Sequence, residues 1–140
     1  MILSIFCDGG ARGNPGPAAI AFLIKDNFKT IYKYQRFIGK STNNVAEYTA
    51  LINAYIWLTK NIIKIQPQPK LVNFFLDSKL IVNQLNGLYK VKNSNLRNLI
   101  IQIRQFENQI KTTKKYHFIN REQNQEADFL VNLALNNATR

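Results

Sequence analysis

Residues 2–8 are mostly apolar and predict a strand, in which Ile2, Ser4, Phe6 and Asp8 share one face because successive side chains point to opposite faces. The Gly, Pro and Asn residues that crowd positions 9–17 predict a loop. Residues 18–25 and 30–38 predict two further strands, joined by a turn at 25–27. The amino-terminal part of the chain is therefore expected to form a three-stranded meander.

Farther along the chain, apolar residues recur with the 3.6-residue period of helices, interrupted by short runs typical of strands. The predicted elements are a helix over 44–60, a strand over 71–76, helices over 78–85 and 95–111, a strand over 116–119 and a helix over 124–135. This order predicts an α/β fold with a mixed sheet covered by helices. Because no repeat or linker interrupts the pattern, residues 1–140 are expected to form a single domain.

The charge balance adds a partner class to this picture. The chain has 19 Lys and Arg residues against 8 Asp and Glu residues, a net charge of +11. Such a surface favours a polyanion, with nucleic acid ahead of an anionic membrane, although a coding bias towards Lys, Asn and Ile would also raise the charge. A single cysteine, Cys7, excludes an intrachain disulfide and favours a reducing, cytoplasmic location. No apolar run approaches the ~20 residues of a membrane span, and no secretory signal is expected.

Two of the few acids stand where an apolar strand ends. Asp8 follows Ile, Phe and Cys residues, and Asp77 follows the apolar run from Leu71 to Leu76. An unpaired charge is costly to bury, and open α/β sheets bind ligands at the carboxyl ends of their strands. The structural alternatives are an Asx-turn for Asp8 and a helix N-cap for Asp77.

Two more acids lie near the starts of predicted helices. Glu47 follows Asn44 by three residues, which is the spacing of a capping box, and Asp128 lies where it would interact with a helix dipole. Taken together, the four carboxylates suit Mg²⁺ or Mn²⁺, whereas zinc would need Cys or His ligands and only Cys7 and His117 exist. Two such metals can activate water on one side of a phosphate and stabilise the leaving oxygen on the other.

Four motifs in this sequence resemble those of the ribonuclease H type 1 family. They are DGGARGNPGPA over residues 8–18, TNNVAE over residues 42–47, Asp77-Ser78, and NQEAD over residues 124–128. Their order and spacing agree with the family from residue 1 to about residue 136.

The resemblance implies a ribonuclease H-like fold, with a five-stranded mixed sheet of order 3-2-1-4-5 flanked by helices. It also implies an endoribonuclease that hydrolyses the RNA strand of RNA/DNA hybrids with two Mg²⁺ ions, or Mn²⁺ in their place, leaving 5′-phosphate and 3′-hydroxyl ends. Separately from the resemblance, a monomer is expected. The catalytic and metal-binding residues would be Asp8, Glu47, Asp77 and Asp128. Asp8 would bridge both metals, and Asp128 would serve the second, more mobile one.

Substrate contacts are implied by motif position. Asn14, Asn43 and Asn44 resemble residues that contact RNA 2′-hydroxyls in the minor groove. A DNA-strand phosphate would be held by Thr42 and Asn93, with Lys40 as a further candidate. Asparagine is abundant in this chain, so the structural alternative for each of these amides is an exposed turn residue.

The sequence departs from the family pattern at two places. The histidine that often precedes the last helix would fall on Phe118, one residue after His117, so that His117 is either catalytic through a longer loop or an edge-strand residue. The segment between Gly87 and Asn93 is too short for the basic protrusion of some members, which predicts a short form.

Two other classes of protein fit the sequence less well. A P-loop is excluded because Gly-Lys-Ser/Thr is absent. A non-catalytic nucleic-acid-binding module of the same fold would be expected to lack a metal-binding carboxylate, and all four are present. Cleavage of double-stranded RNA or of chimeric junctions stays open as an additional activity.

Overall fold

The computed structural model describes residues 1–139 and contains a five-stranded sheet in the order β3-β2-β1-β4-β5. The strands are β1 (Ile2–Ala11), β2 (Gly16–Asp26), β3 (Lys29–Ser41), β4 (Leu71–Leu76) and β5 (Thr113–Phe118). Strand β1 pairs antiparallel with β2 and parallel with β4, while β2–β3 is antiparallel and β4–β5 is parallel. The α/β class, the mixed sheet and its implied order are confirmed.

Helices cover both faces of this sheet. They are α1 (Asn43–Asn61), α2 (Lys79–Leu85), α3 (Ser94–Gln109) and α4 (Gln125–Ala138), with short 3₁₀ turns at Ile62–Lys64 and Arg121–Asn124. The connection between α2 and α3 spans only residues 86–93, as the predicted short form requires. None of the helices within residues 1–139 combines the length and the hydropathy that a membrane-crossing segment requires.

The glycine-rich loop is shorter than the sequence predicted. Strand β1 continues past Asp8 to Ala11, because the backbones of Gly9 and Gly10 pair with Ile20 and Ala19 of β2. Glycine weakens a strand but keeps both backbone hydrogen-bonding groups, so the ladder can run through it. The loop that remains is residues 12–15. Asp8 therefore lies within a strand and does not form an Asx-turn.

Each sheet face has its own hydrophobic core. Helices α1 and α3 pack on one face, where Ile5, Leu51 and Ile103 belong to a single fully buried cluster. Helix α4 packs on the other face, with Val131 against the small side chains of Ala19 and Ala21. These alanines let α4 approach the sheet closely, which sets its first turn beside the end of β1.

Candidate active site

Asp8 of β1 and Asp77, which directly follows β4, lie side by side in the middle of the sheet. The parallel pairing of β1 with β4 ends at the Phe6–Phe75 pair, and each aspartate follows its phenylalanine by two residues. Since side chains alternate along a strand, both aspartates project from the face on which those two rings stack. The strands separate at this level, and the two carboxylates occupy the opening.

Glu47 reaches the same opening from α1. Its Oε1 accepts a hydrogen bond from the backbone N–H of Gly9 at 3.3 Å, and its buried Oε2 has no partner among residues 1–139. The capping-box alternative is wrong, because the helix is capped by Thr42, whose Oγ1 accepts from the Val45 N–H at 3.2 Å. Glu47 is thus a buried carboxylate that turns towards β1 and leaves one oxygen free.

The helix N-cap alternative for Asp77 is also wrong. Ser78 is the N-cap of α2, and its hydroxyl oxygen accepts from the Ile81 N–H at 3.3 Å. The Oδ2 atom of Asp77 instead accepts from Asn124 Nδ2 at 3.3 Å, while the same amide donates to the Cys7 carbonyl at 2.9 Å. Asn124 is 1% exposed, so this buried amide joins the end of β4 to the centre of β1.

The structure brings three of the four predicted carboxylates into one group. Asp8, Glu47 and Asp77 each offer a carboxylate oxygen, and the three oxygens lie within 4.8 Å of one another. Asp128 lines the same cavity, of about 380 Å³, but lies outside this group. It occupies the first turn of α4, so favourable interaction with the helix dipole accounts for it equally well.

Burial and mutual repulsion raise the affinity of this group for positive charge. Desolvation, and then the charge of Asp77, raise the pKa of Asp8 from 3.8 to about 7. The pKa of Glu47 is also raised, first by burial and then by the charge of Asp8. Without a metal, bound protons neutralise part of the negative charge of these carboxylates. A divalent cation would neutralise the same oxygens at neutral pH.

The metal-free protein is expected to lose stability as pH rises, because the folded state retains a proton on Asp8 that the unfolded chain has released. This contribution is fully present below pH 4 and is lost as pH rises through about 7. In EDTA, the free energy of unfolding should fall between pH 4.5 and 8 by about 2–4 kcal/mol less in Asp8→Asn than in the original protein. Denaturant unfolding at each pH measures this difference. Parallel pH profiles for the two proteins would contradict the electrostatic account.

Sequence reasoning did not single out three further polar side chains, of which Arg12 and Arg121 lie at this cavity and Asn124 lies behind it. Arg12 and Arg121 line it, and the charge of Arg121 opposes the upward shift of the Asp8 pKa. The Arg12 guanidinium donates to Asn136 Oδ1 at 2.6 Å, which ties the loop after β1 to α4. Asn124 belongs to the NQEAD motif at residues 124–128, but the sequence does not reveal its contact with Asp77, which depends on the tertiary fold.

Most of the predicted substrate residues share a second groove next to the carboxylates. Asn14, Thr42, Asn44 and Asn93 line this groove, and Asn44 also lines the carboxylate cavity together with Asn43. Asn93 caps α3 through its Oδ1, which accepts from the Leu96 N–H at 3.1 Å. Two helices, α1 and α3, therefore begin at one groove, which favours an anion. Lys40 lines neither cavity.

Hydrogen bonds hold this groove in shape. Asn14 Oδ1 accepts from the Asn43 N–H at 2.9 Å, and Asn43 Oδ1 accepts from the Ala11 N–H at 2.9 Å. These bonds join the loop after β1 to the first turn of α1. Both asparagines are exposed, as their structural alternative required, and their amide nitrogens stay available as donors.

His117 lies in β5, at the edge of the sheet. Its ring stacks on Phe75 with the ring centroids 5.2 Å apart, and its Nε2 lies 2.7 Å from Asn73 Oδ1. The residue does not line the carboxylate cavity. Of the two interpretations left open by the sequence, this geometry favours an edge-strand residue.

Comparison with known proteins agrees with the fold. The family described as "Reverse transcriptase-like" matches residues 6–134. A ribonuclease HI of Halobacterium salinarum is 31% identical over 137 residues, covering 95% of this chain and 64% of that protein. A bifunctional protein of Mycobacterium tuberculosis is 35% identical over 140 residues, covering 99% of this chain and 36% of that protein.

Solved structures extend the comparison. LC11-RNase H1, in a crystal structure with an RNA/DNA hybrid, superposes with a TM-score of 0.92 at 40% identity, covering 99% of each chain. The N-terminal RNase H domain of the mycobacterial protein gives a TM-score of 0.84 at 33% identity, covering 96% of this chain and 99% of that one.

The sheet order and the matched region define a ribonuclease H-like domain. With its four motifs in order and these relatives along its whole length, the chain belongs to the ribonuclease H type 1 family. The chain spans about a third of the length of the mycobacterial relatives it matches.

Proposed function

We propose that this protein is a ribonuclease H that hydrolyses the RNA strand of RNA/DNA hybrids and leaves 5′-phosphate and 3′-hydroxyl ends. The observation that carries the proposal is the group of three carboxylates, two of them almost fully buried, in a chain of net charge +11. Such a group concentrates negative charge where a basic surface would bring a phosphate backbone. The hybrid bound to LC11-RNase H1 supports the choice of substrate.

The donor set fits divalent metal ions. All three groups offer hard oxygen ligands, one of which, Glu47 Oε2, is buried without a hydrogen-bond partner among residues 1–139. Two bound Mg²⁺ ions, or Mn²⁺ in their place, would activate the attacking water and stabilise the leaving oxygen of the phosphodiester. Asp8, Glu47 and Asp77 would hold these ions, and Asp128 would serve the second ion from α4.

The chain's own residues would orient the substrate. Asn14, Asn43 and Asn44 would contact RNA 2′-hydroxyls, which a DNA strand lacks. Thr42 and Asn93 would hold a phosphate of the DNA strand at the joint start of α1 and α3. Asn124 would keep the Asp77 carboxylate facing Asp8 by fixing one of its oxygens.

We infer that residues 1–140 form one ribonuclease H domain. The two-faced core uses elements from β1 to α4, and the mycobacterial RNase H domain matches 96% of the chain. Because the segment at residues 86–93 is short, the hybrid would be bound mainly by the carboxylate cavity and by the neighbouring groove that Asn93 lines. Affinity is then expected to fall steeply with salt, as it does whenever phosphate contacts dominate.

A cleavage assay tests this function. End-labelled RNA/DNA hybrid, matched double-stranded RNA and matched DNA duplex are incubated with the protein in Mg²⁺, Mn²⁺ or EDTA. We expect cleavage of the RNA strand of the hybrid with either metal and none in EDTA. An intact hybrid in both metals would refute the proposal, and equal cleavage of double-stranded RNA would refute hybrid specificity.

A further inference from the structure

A third cavity, which we call the aromatic groove, has a volume of about 550 Å³ and lies between β3 and the carboxyl-terminal half of α1. Aromatic side chains form its floor. The Phe22 ring packs against Tyr34 with centroids 5.2 Å apart and against Tyr32 with centroids 5.9 Å apart. Tyr32 in turn stacks on Trp57 at 5.2 Å. Tyr32, Tyr34 and Trp57 are only half-buried, so parts of these rings are open to a ligand.

The polar groups around these rings carry a net positive charge. Arg36 and Lys60 are exposed at the groove, and none of its described lining residues is acidic. Asn53 and Asn61 each donate through Nδ2 to a backbone carbonyl of α1 at 2.8 Å, which leaves their amide oxygens as acceptors. The groove therefore offers aromatic faces, two cations and two hydrogen-bond acceptors.

The groove is separate from the proposed active site. It shares no lining residue with the carboxylate cavity or with the groove at Asn93. Trp57 follows Glu47 by ten residues along α1, which places it roughly 15 Å away along the helix axis. A ligand in this groove would therefore contact other residues than a hybrid bound at the carboxylates.

We propose that this groove binds single-stranded nucleic acid, stacking unpaired bases on the rings of Tyr32, Tyr34 and Trp57 and placing the adjoining phosphates at Arg36 and Lys60. Aromatic faces beside cations are the usual means of binding single strands, because the faces of the bases are free only when they are unpaired. The net charge of +11 favours a polyanion over a neutral aromatic ligand.

Fluorescence tests the proposal directly, because Trp57 is the only tryptophan of the chain. A 12-nucleotide single-stranded DNA or RNA is titrated into the protein in EDTA, alongside a blunt DNA duplex and a mononucleotide. We expect saturable quenching of Trp57 by the single strands and little by the duplex or the mononucleotide. No quenching by the single strands, or equal affinity for the mononucleotide, would overturn the proposal.

Variants identify the groove as the cause. Arg36→Ser combined with Lys60→Ser should weaken binding about 10-fold and lower the salt slope by about 1.4, since each phosphate contact of a single strand adds about 0.7. The control pair Lys70→Ser and Lys111→Ser removes the same charge from exposed sites elsewhere. An equal loss in this control would show that only net charge matters and would overturn the proposal.

A third variant separates stacking from charge. Tyr34→Leu keeps apolar volume in the groove but removes one stacking face, and should weaken single-strand binding about 10-fold with an unchanged salt slope. Unchanged affinity in a variant with a normal circular dichroism spectrum would refute stacking. Because all titrations are made in EDTA, they remain informative even if the protein cleaves no hybrid, so the two proposals fail separately.

Discussion

Asp8→Asn is expected to abolish hybrid cleavage, lowering kcat by ~10³-fold or more, because bound metals supply several kcal/mol of transition-state stabilisation. Asp8 is central to the carboxylate group, being next to Asp77 across the sheet and to Glu47 of α1. Asparagine has the same shape but lacks the charge that a metal requires. The measurement is the initial rate on saturating hybrid in Mg²⁺.

Binding and folding are the controls for this result. Hybrid affinity measured in EDTA should stay within a few-fold of the original value, because the asparagine contacts lie in the neighbouring groove. Asp26→Asn makes the same chemical change outside the cavity and should leave the rate unchanged. Substantial cleavage by Asp8→Asn, or an equal loss in Asp26→Asn, would contradict the assigned role.

The second large effect is expected at Gly9, where a helix and a strand come into direct contact. A Cβ atom at this position would collide with the backbone carbonyl group of Ala46 and crowd the Glu47 nitrogen at 2.6 Å. Gly9→Ala must push α1 away from β1, and overpacking of this kind costs about 1–3 kcal/mol or more. Because Glu47 moves with α1, kcat should also fall about 10²-fold.

Gly10→Ala provides a matched control one residue away. A Cβ atom there would meet Val131 Cγ1 at 3.8 Å, which is an ordinary van der Waals contact. This variant should keep its denaturation midpoint, because the added methyl group makes no close contact. If Gly9→Ala behaved like Gly10→Ala, the close approach of α1 would not be what positions Glu47.

The elements of this fold were largely predictable because their periodicities are strong. Short apolar runs and the 3.6-residue repeat located all five strands and four main helices, but they misplaced the boundary at Gly9, where a strand continues through residues typical of loops. The start of α1 was also misplaced, since Thr42 and not Asn44 caps it. The ends of strands and helices depend on individual hydrogen bonds, and the periodicity of apolar residues does not predict these bonds.

The candidate site divides in the same way. Asp8 and Asp77 stood out because a charge at the end of an apolar strand is anomalous, and the parallel register then places them side by side. Glu47 had a plausible capping role, which only the approach of α1 to Gly9 removes. Asp128 retains its helix-dipole alternative, and its metal role rests on the family resemblance.

The central claim is that Asp8, Glu47 and Asp77 hold the metal ions with which this protein cuts RNA. It is tested most directly by an anomalous difference map from crystals soaked in Mn²⁺. We predict a peak ~2.0–2.6 Å from oxygens of all three carboxylates, with the soaked ion displaced by Mg²⁺. A cluster without a peak, at a Mn²⁺ concentration that supports cleavage in solution, would contradict the account.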